Sequence, residues 1–315
     1  MATSYTKEFN SLASTTLEEY SKIIADNFFN EFVLMGDIKK KGGYQEGASG
    51  TKVVEPLVYS ANSTAKAYSG YDLLDTTPQD NITSAIYDYK NYDVSVVIAG
   101  DEIEANTGKN QVINLLTAKV KNAEMSLKNM LNTDMFVGNG SDSKKILGLA
   151  QIVEATGTIG EISPTTNTWW TSYEENTSTA LTLQQIDTAV IDISRGSGKV
   201  FRPNIVITTP TLYAKINALL VANQRYTNGK TAEAGFESLN HMGVDIAYDE
   251  ACTSGVLYLL NTNYLKLRYS ATRNFTVTPF DKAINQDAQV AHIQWRGAFT
   301  TNNRSALGKL TAKTA

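Results

Sequence analysis

With 315 residues, 42% of them hydrophobic and 19% charged, the chain is long enough to bury roughly three quarters of its unfolded surface, in one large domain or two smaller ones. Its net charge of −4 argues against a protein that grips nucleic acid through a basic face. One cysteine and two histidines exclude an internal disulfide and leave little for thiolate, zinc or imidazole chemistry.

The start, Met1–Asn10, lacks a secretory pattern, and no run of about 18 apolar residues occurs that could span a bilayer. The expectation is synthesis in the cytoplasm and no membrane partner. Thr16 and Glu19 form a T-x-x-E capping signal, followed by Leu17, Tyr20, Ile23, Ile24 and Phe28 at near-helical spacing, which predicts an N-terminal amphipathic helix reaching Leu34. Phe28 beside Phe29 widens its apolar stripe, so the helix is expected to dock on something.

From Gly42 to Gly70 the chain is small and polar apart from Val53–Tyr59, where Pro56 predicts an edge strand. Tyr92–Ile98 alternates with period two and is taken as its partner, making a hairpin-like excursion with a tip too polar for a core of its own. Such an excursion has to lean on a neighbour.

Lys109–Phe136 is the clearest helix. Ile113, Leu116, Val120, Ala123, Leu127 and Met130 step by 3 and 4, and Lys119, Lys121, Asn122, Glu124 and Lys128 are assigned to the opposite face. At about 1.5 Å per residue it spans roughly 40 Å. Trp169 and Trp170 then sit in a polar loop. Thr182 and Gln185 open a helix to Ile193 through a capping box. Asn204–Thr208 reads as a strand, Pro210–Asn223 as a helix with proline in its first turn, and Val244–Tyr248, Val256–Tyr264, Phe275–Phe280 and Ala288–Thr301 as strands. The fold class is α+β.

Candidate chemistry is thin. Cys252 with His241 lacks an orienting acid, and a buried cysteine is the preferred reading. Gly42–Gly50 lacks the Gly-Lys-Ser/Thr ending of a phosphate loop. Lys39, Lys40 and Lys41 are taken as a solvated turn at a helix C-terminus rather than a DNA contact, and Asp101, Glu102 and Glu104, just ahead of the long helix, as favouring its positive end rather than binding calcium. Of the two tryptophans, one is expected in the core and one at an interface. The chain is read as a non-enzyme, with no catalytic or metal residues and no cofactor.

Four segments carry a resemblance: Arg202–Tyr213 (R-P-N-I-V-I-T-T-P-T-L-Y), Met242–Asp249 (M-G-V-D-I-A-Y-D), Gly255–Tyr269 (G-V-L-Y-L-L-N-T-N-Y-L-K-L-R-Y) and the ending Gln294–Leu310. In their order and spacing they resemble the major capsid proteins of tailed bacteriophages with the Hong Kong 97-type fold, and the related encapsulin shells. The resemblance implies an N-terminal arm over 1–38, an extended loop with flanking strands over 39–100 and a peripheral domain with a spine helix over 101–145. It further implies an axial domain over 146–270, then closing strands over 271–315 that end by returning to the axial domain. It implies pentamers and hexamers of this chain closing into an icosahedral virion shell around double-stranded DNA, held by proximity rather than sequence-specific contact. A separate scaffolding protein, a portal protein and a decoration protein are the implied partners.

Some members of that family cross-link through a lysine, an asparagine and a glutamate. With Arg296 set against the arginine of the terminal strand, the last two positions fall near Asp287 and Gln294, so a non-cross-linked shell is expected; Lys52, Lys66, Asn302 and Asn303 are the residues to reconsider if covalent rings form. Intersubunit contacts are expected at Phe28 and Phe32 in the arm, Tyr59 and Tyr68 in the loop, and Arg225, Tyr226 and Phe236 at the axial tip. The competing readings are an encapsulin-like compartment, a surface-binding adhesin-like protein and an enzyme.

Overall fold

The computed structural model describes residues 32–48, 50–105, 109–139, 144–195, 201–223, 239–283 and 286–314, and within 103–115 and 221–223 the backbone alone. Helix α1 (Val33–Lys40) buries Leu34, Met35 and Ile38 and carries Lys39 and Lys40 in its last turn, where cations complement the negative helix end. With Lys41 these lysines are exposed, as the solvated-turn reading expects. The helix expected from Thr16 lies outside the described residues.

Two sheets and a hairpin follow. The five-stranded sheet contains β1 (Tyr44–Glu46), β4 (Lys90–Ala99), β10 (Leu265–Val277), β11 (Asp281–Lys282) and β12 (Ala288–Thr301). Strand β12 is its axis: β4 flanks one edge over Ala288–Gly297, while β10 and β11 share the other. The six-stranded sheet runs β5 (Tyr173–Ala180), β13 (Gly308–Thr314), β9 (Leu257–Leu260), β6 (Ile205–Thr208), β8 (Val244–Tyr248) and β7 (Leu239–His241). Strands β2 (Lys52–Val58) and β3 (Ile82–Asp88) make the separate hairpin.

That pairing corrects the expected partner of Val53–Tyr59. Tyr92–Ile98 is a strand but pairs with β12, where Tyr92, Val96 and Ile98 join the main core. The partner of β2 is Ile82–Asp88, with Val53 opposite Tyr87 and Pro56 opposite Ser84. Pro56 does occupy a strand with a free edge in a two-stranded sheet, as its missing N–H requires.

Two short helices precede and follow the long one: α2 (Gly100–Ala105) and α4 (Leu149–Ile152). Asp101 and Glu102 fall in the first turn of α2, so they favour the positive end of that helix and not, as expected, of the long helix, whose first turn holds no acidic residue. The long helix α3 (Lys109–Val137) packs Leu116, Val120, Ala123, Leu127, Leu131 and Met135 into the main core. Each of the leucine, valine and methionine side chains contributes about 1.5–3 kcal/mol by leaving water. Two details differ from the sequence reading. Met130 is 52% exposed and Leu131 takes its place, because the stripe continues by a step of four from Leu127. Glu124 and Lys128, assigned to the solvent face, are buried and paired at 2.6 Å, since the buried stripe is wider than a single row.

Helix α5 (Leu183–Ser194) opens with both halves of the Thr182/Gln185 capping box formed. With α6 (Pro210–Asn223) it covers one face of the six-stranded sheet, where Ile186, Val190, Leu212 and Ile216 meet Val206, Ile246 and Leu259. The other face, through Ile205, Ile207, Tyr258 and Leu260, joins the main core. The apolar run read as one strand at Val256–Tyr264 is broken by a 3-10 turn at Thr262–Tyr264. Strand β9 stays in the six-stranded sheet while β10 enters the five-stranded one. The chain therefore crosses between sheets ahead of the boundary expected at 270. It crosses back after β12, and β13 ends between β5 and β9.

Candidate assembly site

The hairpin lies across the face of the five-stranded sheet opposite the long helix. Alternation puts Val53, Glu55 and Leu57 of β2 inward and Lys52, Val54, Pro56 and Val58 outward. Inward, Val53, Leu57, Ala85 and Tyr87 pack on Ile159, Ile162, Trp170 and Ala298. The loop beneath comes close enough that Gly160, at φ +63°, accepts from the Ile86 N–H at 3.0 Å, and a Cβ there would lie 2.7 Å from that of Ala85. Only glycine fits both conditions.

Polar contacts fasten this root. The Tyr87 hydroxyl donates to the Thr301 carbonyl at 2.7 Å, and burial raises its pKa well above the ordinary tyrosine value. The Arg296 guanidinium stacks on Tyr89 at 4.7 Å and donates to the Gly50 carbonyl at 2.7 Å. At the centre, Glu55 is 1% exposed and accepts from Lys266 Nζ at 3.0 Å, Arg268 Nε at 2.7 Å and Nη2 at 3.2 Å, and the Thr300 hydroxyl at 3.3 Å. Burial by itself raises the Glu55 pKa, but hydrogen bonds from Arg268 and Lys266 outweigh it and hold the carboxyl below the ordinary glutamate value.

Among the described residues the outward face is largely uncovered. Two apolar cross-strand pairs, Val54 with Ile86 and Val58 with Ile82, stand on it, with Val54 56%, Val58 77% and Ile82 69% exposed. Beyond the strands the connection 59–81 exposes Tyr68, Tyr71, Leu73 and Leu74.

Three of the expected contact residues, Phe32, Tyr59 and Tyr68, fall among the described residues. Tyr68 is exposed at the tip. Tyr59 is half-buried at the end of β2, stacked on Trp169 at 5.5 Å in its own chain. Phe32 is half-buried against the main core. Phe28, Arg225, Tyr226 and Phe236 lie outside the described residues. Val54, Val58, Ile82, Tyr71, Leu73 and Leu74 are exposed apolar residues outside that expectation, and apolar residues at both Val53/Leu57 and Val54/Val58 are the sequence signal that points to them.

The tryptophans divide as expected in part: Trp170 is buried and donates to the Ile159 carbonyl at 3.0 Å, while Trp169 is half-buried under Tyr59. Cys252 and His241 are not a dyad. Burial pushes the Cys252 thiol up to about 12, and His241 pairs instead with Asp187 at 2.6 Å. Glu102 pairs with Lys119 and accepts from the Ala99 N–H. Among the described residues no group of three or more His, Cys, Asp or Glu could hold a metal, and no helix is long and apolar enough to cross a membrane. Lys52 pairs with Glu161 at 2.7 Å, Lys66 donates to the Leu73 carbonyl, and Asn303 accepts from the Ser305 N–H and hydroxyl.

The architecture recurs in solved shells. The capsid asymmetric unit of cyanophage A-1(L) superposes with a TM-score of 0.67 at 17% identity, covering 91% of this chain and 95% of that one. The capsid of a native GTA particle gives 0.61 at 11%, covering 87% and 89%. The holo-SrpI encapsulin complex from Synechococcus elongatus gives 0.55 at 11%, covering 86% and 85%. At these identities the likeness is one of fold. No curated protein sequence matches. The sequence family described as SU10 major capsid protein matches residues 3–314, and the chain belongs to that family.

Proposed function

We propose that this capsid subunit forms pentamers and hexamers around its six-stranded, axial sheet, and that these close into an icosahedral shell enclosing double-stranded DNA. The observation that carries the reading is the bare outer face of the hairpin, Val54, Val58 and Ile82 with the tip residues Tyr68 and Tyr71, on a chain of a major capsid protein family. A second copy covers that face, completing on assembly the core that one subunit leaves open. In this reading the fold is of the Hong Kong 97 type: 1–38 is the arm, the hairpin the extended loop, the long helix the spine. Phe28, Phe32, Arg225, Tyr226 and Phe236 are further contacts.

The subunit acts by geometry and without catalysis, and its shell is not covalently cross-linked. Scaffolding, portal and decoration proteins are its proposed partners. The net charge of −4 fits DNA held loosely rather than gripped. An encapsulin-like compartment is the alternative, favoured by the fold likeness to the SrpI shell.

Negative-stain electron microscopy of the purified chain, alone and with a scaffolding protein from the same genome, tests the proposal. Closed shells or isolated pentamers and hexamers are expected, native particles should contain nucleic acid, and a denaturing gel should show single-chain bands. A monodisperse monomer under every condition overturns it; packaged protein instead of nucleic acid selects the compartment.

A further inference from the structure

Glu55 is the point at which the hairpin and the five-stranded sheet are charge-matched. It projects from the middle of β2, between the inward Val53 and Leu57, onto a polar strip formed by three side chains of the sheet. Lys266 and Arg268 alternate on β10, and Thr300 faces Lys266 across β12. Both oxygens of the carboxylate are used: Oε1 accepts from Arg268 Nε and the Thr300 hydroxyl, Oε2 from Lys266 Nζ and Arg268 Nη2. Arg268 also donates through Nη1 to Gln45 of β1 at 2.6 Å, so one guanidinium bridges the hairpin and the sheet edge.

We infer that Glu55 with Lys266, Arg268 and Thr300 is a latch that fixes the direction in which the hairpin leaves the sheet. It rests on the assembly reading in one respect: what the latch aims is the apolar face that a neighbouring copy covers. Two features make the cluster a latch rather than simple adhesion. The carboxylate is 1% exposed, whereas the lysine and arginine side chains keep 21% and 18% of theirs. When the hairpin lifts, every charge regains water, so the desolvation that opposes closure nearly offsets the attraction. What survives that near-cancellation is direction: a slip of β2 by two residues sets Val53 or Leu57 against the two cations.

The groups facing Glu55 are few. From β10 they are Lys266 and Arg268, from β12 Thr300, and at longer range Tyr87 of β3. None is a second carboxylate, so a change at Glu55 alone leaves two cations without their common partner.

The test is hydrogen–deuterium exchange on the unassembled full chain at neutral pH, read over Lys52–Val58 and Ile82–Asp88 and, as internal reference, over Ile205–Thr208 and Leu257–Leu260. Glu55→Gln is expected to raise hairpin exchange on the order of 100-fold, the size of breaking a buried pair, while the reference strands stay as in wild type. Exchanging the charges, Glu55→Arg with Arg268→Glu, is expected to restore protection. Unchanged hairpin exchange in Glu55→Gln overturns the latch. So does a charge exchange that fails to restore protection, including the case in which Glu55→Gln also loosens the reference strands. Electron microscopy of the same proteins separates the two proposals: if wild type forms no shell the assembly reading falls, whereas the exchange result stands or falls alone.

Discussion

The six-stranded sheet and the hairpin are opposite solutions built from one chain. In the sheet, β6 and β9 are buried at every position. Val206 and Leu259 point to one core, Ile207 and Leu260 to the other. The chain covers both faces itself, with helices on one side and the long-helix core on the other. In the hairpin, β2 alternates buried and exposed along its whole length, and after Lys52 the exposed row, Val54, Pro56 and Val58, is apolar. An apolar face left bare on a two-stranded sheet is incomplete rather than solvated, and such a sheet is marginal alone. On the proposed assembly reading, the difference separates residues that make the subunit from residues that a second copy would cover.

The largest effect on the unassembled subunit belongs to the complete region. Leu259→Ala, at a side chain with no exposure, is expected to cost about 2–5 kcal/mol by leaving a cavity between packed layers, read as a lowered melting temperature. Next is Arg304, also fully buried, whose guanidinium donates to the carbonyls of Ile152, Glu154, Thr156 and Gly157 at 2.6–3.3 Å. It clamps the turn between β12 and β13 to the segment after α4. Arg304→Met is expected to cost about 3 kcal/mol or more, from buried acceptors left unsatisfied at about 1–3 kcal/mol each. Arg304→Lys should recover only part of this, because one ammonium cannot span four carbonyls in a fork.

Acid sharpens the comparison further. Because the folded Glu55 pKa lies below its ordinary value, its contribution is fully present above the unfolded glutamate pKa of about 4.3. It is lost as pH falls through the lower, folded value. Exchange over β2 and β3 at pH 3 should therefore rise more, relative to pH 7 and after correction for intrinsic rate, than exchange over β6 and β9. Equal rises in both regions would remove the distinction.

What sequence reading recovered and what it missed divide along a physical line. Interactions local in the chain were legible: the Thr182/Gln185 box, the proline-led helix from Pro210, the 3-and-4 stripe through Leu127, and β12 to the residue at both ends. Pairing choices made across distance were not. Strand β3 was overlooked because the long connection 59–81 separates it from β2, so no turn chemistry announces the pair. Strand β5 is not among the predicted strands because Tyr-Glu-Glu-Asn-Thr-Ser-Thr-Ala is polar, as an exposed edge can be. The turn at Thr262–Tyr264 does carry a local signal, the polar Asn261-Thr262-Asn263 with Asn261 as cap, which the strand reading of Val256–Tyr264 passes over. The Glu55 cluster joins positions more than 200 residues apart, and nothing in a single sequence brings them together.

The smallest effect on the subunit is expected where assembly depends on it most. Val58 and Ile82 face each other across the hairpin and point away from its root. Replacing both with lysine removes no contact with the core and sets like charges opposite each other on an exposed face. The unassembled subunit should therefore melt within about 0.5 kcal/mol of wild type per substitution. In the shell the same lysines would lie beneath a neighbouring copy, with two charges to desolvate and no partner for either. Sedimentation should then show soluble subunits and few closed particles. A variant that melts normally and also assembles normally would show that the hairpin's outer face stays bare in the shell, and would move the search for the contact to the exposed tip at Tyr68 and Tyr71.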